Sequence, residues 1–213
     1  EINGLEETGY LTNRELFDLE EQPESIGVLG AGYIALEIAQ TYHRFGTKVV
    51  LLHRSGRILR SQSSDITDEL TRHLVNEGLE IHLNTSIQNI SRVDKNSVII
   101  TTLENDNKVQ YKVAQVVVAT GIQANTANLG LDIIGVALDD KGFIKVNDKQ
   151  ETNIGGIYAI GDCTNTPAFV YTAAAEGKTA ALNALGDIGA LTNYKGLPWV
   201  VFTDPQVAGA GMD

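Results

Sequence analysis

Along the first half of the chain, apolar positions switch between strand-like runs and helical spacing in a regular order. Residues 26–29 form a short apolar run suited to a buried parallel strand. Ile34, Ile38, Tyr42 and Phe45 then fall three or four apart, predicting a helix that Gly46 stops. Residues 48–53 read as a second strand. Residues 65–77 read as an amphipathic helix with Ile66, Leu70 and Leu74 on one face and Gly78 at its end, and residues 79–83 as a third strand. Upstream, Thr12-Asn13-Arg14-Glu15 has capping-box spacing and predicts a short helix over 13–19, with 20–25 a linker containing Pro23.

Beyond residue 85 the period changes to two. Residues 86–91, 97–103 and 108–112 alternate or are β-branched, with Asp94-Lys95-Asn96 and Asn105-Asp106-Asn107 as turns, which predicts an antiparallel meander. Residues 115–119 read as another buried strand, 142–146 and 156–160 as two short strands, and the Ala-rich stretch 168–185 as a helix. Residues 199–203 begin an element that the chain does not complete. The fold class is therefore α/β: a Rossmann-like βαβ unit on a parallel sheet, with an antiparallel β-meander.

Composition narrows the function classes. The 213 residues are 43% hydrophobic and 20% charged, ordinary for a globular protein, and no apolar run is long enough for a membrane span. A net charge of −11 without a basic cluster argues against nucleic acid and anionic membrane as partners. The single cysteine, Cys163, excludes an internal disulfide and fits a reducing, cytoplasmic compartment; following an apolar strand, it reads as a buried structural thiol. His43, His53, His73 and His82 lack metal-ligand spacing, so no metal is assigned. A start without Met and an end at Gly211-Met212-Asp213 suggest a piece of a longer chain.

The chemistry concentrates at Gly30-Ala31-Gly32-Tyr33-Ile34-Ala35, a G-x-G-x-x-A string between a predicted strand and a predicted helix. Gly30 permits the tight turn, Gly32 lets backbone approach a pyrophosphate, and Ala35 lets helix and strand pack closely, with free helix N–H groups facing the anion. The alternative is a glycine-rich turn without a ligand. At the end of the second strand, NAD-binding units place Asp or Glu about 20 residues after the glycines for the ribose 2′-hydroxyl. This chain has His53-Arg54-Ser55, then Arg57 and Arg60, putting three arginines within seven positions. A carboxylate would repel the 2′-phosphate of NADP, whereas guanidinium groups attract and bind it, so the expected ligand is NADP(H). The alternative is a solvated basic loop.

With these motifs the chain resembles the flavoprotein pyridine nucleotide-disulfide oxidoreductases over essentially its whole length. The string from Gly30 to Glu37 is similar to that family's pyridine-nucleotide motif, and Val118-Ala119-Thr120-Gly121 to its A-T-G motif. Thr152-Asn153 through Ile157-Tyr158-Ala159-Ile160-Gly161-Asp162 resembles its second flavin motif, and Arg54 and Arg60 have the family's 2′-phosphate spacing. Gly161-Asp162-Cys163-Thr164, Pro167-Ala168-Phe169-Val170-Tyr171 and Val201-Phe202-Thr203-Asp204-Pro205 resemble the mercuric reductase subgroup. One departure stands beside Gly121: Ile122-Gln123-Ala124-Asn125 replaces the usual Arg-x-Pro-Asn.

The resemblance implies four segments: 1–25 a linker and short helix, 26–121 the NADP(H) domain, 122–190 the C-terminal part of an FAD-binding domain, and 191–213 the incomplete start of a dimerisation domain. It implies hydride transfer from NADPH to FAD and electrons onward to a redox dithiol that reduces Hg(II) or a disulfide, in a homodimer. Tyr33 is then a gate over the nicotinamide pocket and Glu37 faces nicotinamide and flavin; both also read as ordinary packing and surface residues. Gly30, Gly32, Tyr33, Ile34, Ala35, Glu37, Arg54, Ser55, Arg60, Ala119, Thr120 and Gly121 form the expected nucleotide site. Gly161, Asp162, Phe169 and Val170 form the expected flavin contacts, with Asp162 on the ribityl chain; Phe169, Val170 and Tyr171 read equally as core or interface. The redox cysteines and the first flavin motif would lie upstream, so the 213 residues alone are expected to bind NADPH, hold little FAD and turn over nothing. Two other readings stay open: an NADP(H)-binding module, and a flavin NAD(P)H oxidase without a dithiol.

Overall fold

A computed structural model describes residues 2–186 and 189–211; the expected end of the chain at Met212 and Asp213 falls outside them. The chain divides into two compact units, Glu1–Gly121 with Val200–Ala208, and Ile122–Trp199 with Gly209–Asp213.

In the first unit, α1 (Leu5–Thr8) precedes β1 (Ser25–Leu29), α2 (Tyr33–Arg44), β2 (Lys48–Leu52), α3 (Ser64–Glu77) and β3 (Glu80–His82). The meander is β4 (Ser86–Asp94), β5 (Ser97–Glu104) and β6 (Asn107–Val113), and β7 (Gln115–Val118) returns to the parallel sheet. That sheet has the order β3-β2-β1-β7, every pair parallel, and the meander the order β4-β5-β6, antiparallel, so the α/β class and both predicted sheets are present. Strand alternation divides the core between the two faces. Leu29, Val50, Leu52 and Val116 cluster with Ile90, Val98, Ile100 and Val113 of the meander. Ile26, Val28, Leu51 and Val117 point the other way, the side on which α2 packs. Gly27 makes the meander's approach possible, since a Cβ there would lie 2.4 Å from Ile100 Cδ1.

Several expectations are corrected. The helix over 13–19 is a single 3-10 turn, Glu15–Asp18. Glu15 does accept from the Thr12 backbone N–H at 2.8 Å, but Thr12 Oγ1 accepts from Arg14 N–H, a local turn that competes with helix propagation. Only Leu16 is buried there and Phe17 is exposed, so no apolar face stabilises a longer helix. α1 had no signal in the pattern; it docks Leu5 in the meander core.

The second unit departs further. The strands expected over 142–146 and 156–160 are only isolated bridges, Ile144 with Leu138 and Thr164, and Tyr158 with Glu151. Side chains take the place of a ladder: Asp139 Oδ1 accepts from Lys141 and Phe143 N–H, and Asn147 Oδ1 accepts from Lys149 and Glu151 N–H. The Ala-rich helix is α4 (Val170–Gly186). Where an element was expected to begin at 199–203, β8 (Pro198–Val201) pairs with β9 (Val207–Ala210) as a two-stranded sheet. β8 ends at Val201 as the Phe202 N–H donates instead to the Glu37 carboxylate at 2.9 Å. Among the described residues no helix is long and apolar enough to cross a membrane.

Candidate functional site

At the C-terminal end of the parallel strands, the glycine loop joins β1 to α2, the place where open α/β sheets bind ligands. The two glycines have different causes. Gly30 is demanded by the fold: its φ is 117°, and a Cβ would lie 2.3 Å from the Ala119 carbonyl oxygen. Gly32 is not. Its φ of −83° suits any residue, and an added Cβ would meet no atom within 4 Å. Protein packing gives no reason for glycine at 32, so the cleared space is free for a ligand. α2 starts there with no side-chain cap and no acidic residue in its first turn, leaving its N–H groups and positive dipole end open to an anion. Ala35 is fully buried under the helix, and Ile34 is exposed.

The arginine loop is pinned at both ends, to the residues that follow β3 and to the glycine turn. At one end, Asn84 N–H donates to the Ser55 carbonyl at 3.1 Å and Thr85 N–H to that of His53 at 2.9 Å. At the other, Leu59 N–H donates to the Ala31 carbonyl at 2.9 Å, with Ile58 and Leu59 buried. Arg54 and Arg60 are left exposed. Both act on the same imidazole: burial first, then the charges of Arg54 and Arg60, hold His53 below its usual pKa. The loop thus carries a positive field beside the glycine turn, with no carboxylate at the end of β2.

Tyr33, the first residue of α2, accepts a hydrogen bond at 2.6 Å from Gln62 Nε2. Glu37, one turn on, binds the Phe202 backbone through its carboxylate. The same segment is tied to α2 by Gln40, which exchanges hydrogen bonds with the Asp204 backbone, and by Arg44, which bridges Asp204 and Glu77. On β7's end, Ala119 N–H donates to Leu29, while Thr120 and Gly121 are exposed. Gly30, Gly32, Tyr33, Ile34, Ala35, Glu37, Arg54, Ser55, Arg60, Ala119, Thr120 and Gly121 therefore all lie in the first unit. A cleft of about 900 Å³ lined by Ser25, Lys48, Lys95 and Lys112 lies at the N-terminal ends of β1 and β2, the other end of the sheet.

Gly161, Asp162, Phe169 and Val170 lie in the second unit. Gly161, at φ 69°, is held by the buried Glu176 carboxylate, which accepts its N–H at 2.6 Å. Glu176 also accepts from the Tyr194 hydroxyl at 2.9 Å, and Gln150 Nε2 donates to the same hydroxyl and to Thr192. This network presents the Asp162 side chain at the surface. Phe169 stacks on Tyr171 with centroids 5.1 Å apart, and Val170 is 83% exposed, so Val170 is not core within this unit. Cys163 corrects another expectation: it is only partly buried, and its thiol donates to the Ile160 carbonyl at 3.2 Å. Sequence reasoning missed Gln62 and Leu59, whose only signal was an apolar pair inside a basic loop. It also missed Glu176, signalled by a lone acid in an Ala-rich helix.

Residues 1–177 match the family described as pyridine nucleotide-disulphide oxidoreductase. The chain belongs to that family. Among the oxidoreductase relatives, it is 36% identical over 212 residues to a mercuric reductase of Staphylococcus aureus, covering 100% of this chain and 39% of that one. It is 38% identical to a mercuric reductase of Shewanella putrefaciens, covering 99% and 37%. In solved structures it is similar to the Cu(II) complex of the HOCl-induced flavoprotein disulfide reductase RclA from Escherichia coli. There the TM-score is 0.90 at 30% identity, over 99% of this chain and 48% of that one. A second similar structure is LpdA from Mycobacterium tuberculosis, TM-score 0.85 at 27% identity, over 95% and 43%. The chain spans less than half the length of each of these proteins.

Proposed function

We propose that this chain is the NADP(H)-binding portion of an FAD-dependent oxidoreductase that reduces Hg(II) or a disulfide through a dithiol. The observation that carries the cofactor assignment is the pinned loop: Arg54 and Arg60 stand exposed on a segment held to the glycine turn by the Leu59 N–H on the Ala31 carbonyl, where a carboxylate would have selected NAD(H). Gly32 and the uncapped start of α2 receive the pyrophosphate, and Arg54, Ser55 and Arg60 the 2′-phosphate. Tyr33 closes over the nicotinamide pocket and Glu37 faces it; Ala119, Thr120 and Gly121 carry the chain out of the nucleotide site. When bound, NADPH would supply a hydride to FAD, and those two electrons would reduce the disulfide form of the cysteine pair to the dithiol.

In the second unit, Gly161 and Asp162 offer a backbone turn and an exposed acceptor for the ribityl chain, with Phe169 and Val170 beside the flavin ring. The division of the chain after Gly121 supports a boundary between 26–121 and 122–190. Because the 213 residues hold one cysteine, a dithiol has to be furnished by residues outside them. On this reading the chain works with the rest of the FAD domain and a dimerisation domain, whose start is 191–213, in a cytoplasmic homodimer. Alone it binds NADPH, holds little FAD and does not turn over. The names of the mercuric reductases and of the RclA disulfide reductase support both acceptor classes.

Calorimetric titration with NADPH and NADH tests the cofactor assignment. The expected result is NADPH binding at least about tenfold tighter, a gap of about 1.4 kcal/mol, with the gap closing in Arg54→Ala and Arg60→Ala. Equal binding of the two nucleotides by the unaltered chain would make the loop a solvated surface.

A further inference from the structure

We propose, resting on the reading above in which Glu37 faces the nicotinamide, that Gln40 is a positioning residue for that carboxylate. It acts by fixing the segment whose backbone holds Glu37. Glu37, Gln40 and Arg44 fall three and four residues apart, which sets them in a row on one face of α2. All three bind the same short segment. The Phe202 N–H donates to Glu37 Oε1 at 2.9 Å. Two residues on, the Asp204 N–H donates to Gln40 Oε1 at 2.8 Å, and Gln40 Nε2 donates to the Asp204 carbonyl at 2.8 Å. Gln40 Nε2 also donates to Glu77 Oε2 at 2.6 Å, so only one orientation of the amide satisfies every partner. Arg44 Nη1 reaches the Asp204 carboxylate at 2.9 Å.

The three contacts differ in what they can enforce. Arg44 and Asp204 are exposed, so their ion pair contributes little. Gln40 is 4% exposed and, among the described residues, is the one acceptor of the Asp204 N–H. A buried amide that clasps both backbone groups of one residue fixes that residue in angle as well as in distance. Val201 and Thr203 are buried on either side of Phe202, so the segment stays on the unit without Gln40. The Phe202 side chain is exposed and gives the segment no hold of its own. What Gln40 adds is the exact seat of the backbone, and with it the Phe202 N–H on Glu37 Oε1. Glu37 is half-buried, and its Oε2 accepts no hydrogen bond from any described residue. Held by one oxygen, the carboxylate keeps the other aimed and free for a donor such as the nicotinamide carboxamide. Released, it turns to solvent, and that donor loses a preorganised acceptor.

This role can be tested by dividing the dinucleotide. The 213-residue chain, Gln40→Met and Gln40→Ala are titrated with NADPH and with 2′,5′-ADP, which keeps the adenosine and its 2′-phosphate but has no nicotinamide. Both variants are expected to weaken NADPH binding about threefold to tenfold, the worth of one net hydrogen bond, and 2′,5′-ADP binding less than about twofold. In a Glu37→Ala background, Gln40→Met should weaken NADPH no further, because the carboxylate it positions is gone. A residue that only stabilises the fold would weaken both ligands alike. Equal losses for the two ligands, no loss for either, or additive effects in the double variant would each overturn the positioning role. If Glu37→Ala weakens NADPH and spares 2′,5′-ADP while the Gln40 variants change neither, the role falls and the reading of Glu37 stands. If Glu37→Ala leaves NADPH binding intact, or the unaltered chain binds NADPH no tighter than 2′,5′-ADP, both fall.

Discussion

The two compact units solve the problem of an interior in different ways. In the first, the largest fully buried side chains are Ile26, Leu29, Leu36, Leu51, Leu52, Ile58, Leu70, Leu74, Ile90 and Ile100, every one apolar. In the second they are Gln150 and Glu176. The first unit pairs its backbone in parallel and antiparallel ladders and fills the space between them by hydrophobic burial. The second has a small apolar cluster of Val136, Ile144 and Ala159, and satisfies its irregular backbone with side-chain oxygens and amides. A ladder tolerates substitution of any side chain that still packs, whereas a polar network fails when one member leaves its partners buried and unpaired.

That contrast is broken most sharply at Leu51 and Glu176. Leu51→Ala deletes three carbons from a fully buried position of β2 and should cost about 2–5 kcal/mol by urea denaturation. Replacement by Ile or Met should cost under about 1.5 kcal/mol, because volume is kept. Glu176→Ala removes the acceptor of both the Gly161 N–H and the Tyr194 hydroxyl, and should cost about 2–4 kcal/mol. Glu176→Gln keeps one oxygen acceptor and should restore more than half of that loss. The two positions should therefore respond oppositely to chemistry and to volume. Glu176→Leu separates them further: it fills the space yet stays as unstable as the alanine variant if hydrogen bonding holds the unit. The only tryptophan, Trp199, lies in the second unit and reports its unfolding by fluorescence. A Glu176→Leu variant as stable as the unaltered chain would show that the second unit is held by packing after all.

The same contrast explains what could be read from the chain. The βαβ unit was legible because burial on both faces writes continuous apolar runs such as 49–52, and amphipathic helices write a period of 3.6, as in Leu70 and Leu74. The meander was legible from its period of two. In the second unit the Ala-rich helix was legible, but the course of 138–151 was not, because Asp139 and Asn147 set it by hydrogen bonds to particular backbone groups, and polar residues read locally as turns or surface. At the candidate site, Gly30 and Gly32 were both legible as a motif, but only the geometry separates the glycine the fold requires from the one it does not. The arginines were legible as charge, while the Leu59 and Gln62 contacts that pin them depend on a left-handed residue that no pattern announces.

The smallest effect sharpens the comparison at a single group, His53, where the ordered first unit carries its own electrostatic load. Burial and then the Arg54 and Arg60 charges hold the folded imidazole below its usual value near 6.5. As pH falls through about 6.5, the unfolded chain takes up a proton at His53 that the folded chain refuses until a lower pH. The unfolded state then binds more protons, so stability rises with pH across this window and is lost as pH drops below it. Because His53 is only partly buried, the loss should be a fraction of the roughly 2–4 °C that 1 kcal/mol moves a chain of this size. Melting temperatures of the unaltered chain and His53→Gln between about pH 8 and 5.5 should diverge only below about pH 6.5, the variant melting higher there. Arg60→Ala should shrink the divergence by removing one of the two opposing charges, leaving burial as the main cause. An undiminished gap in Arg60→Ala would mean that Arg60 does not reach the imidazole, leaving burial and Arg54 as the causes.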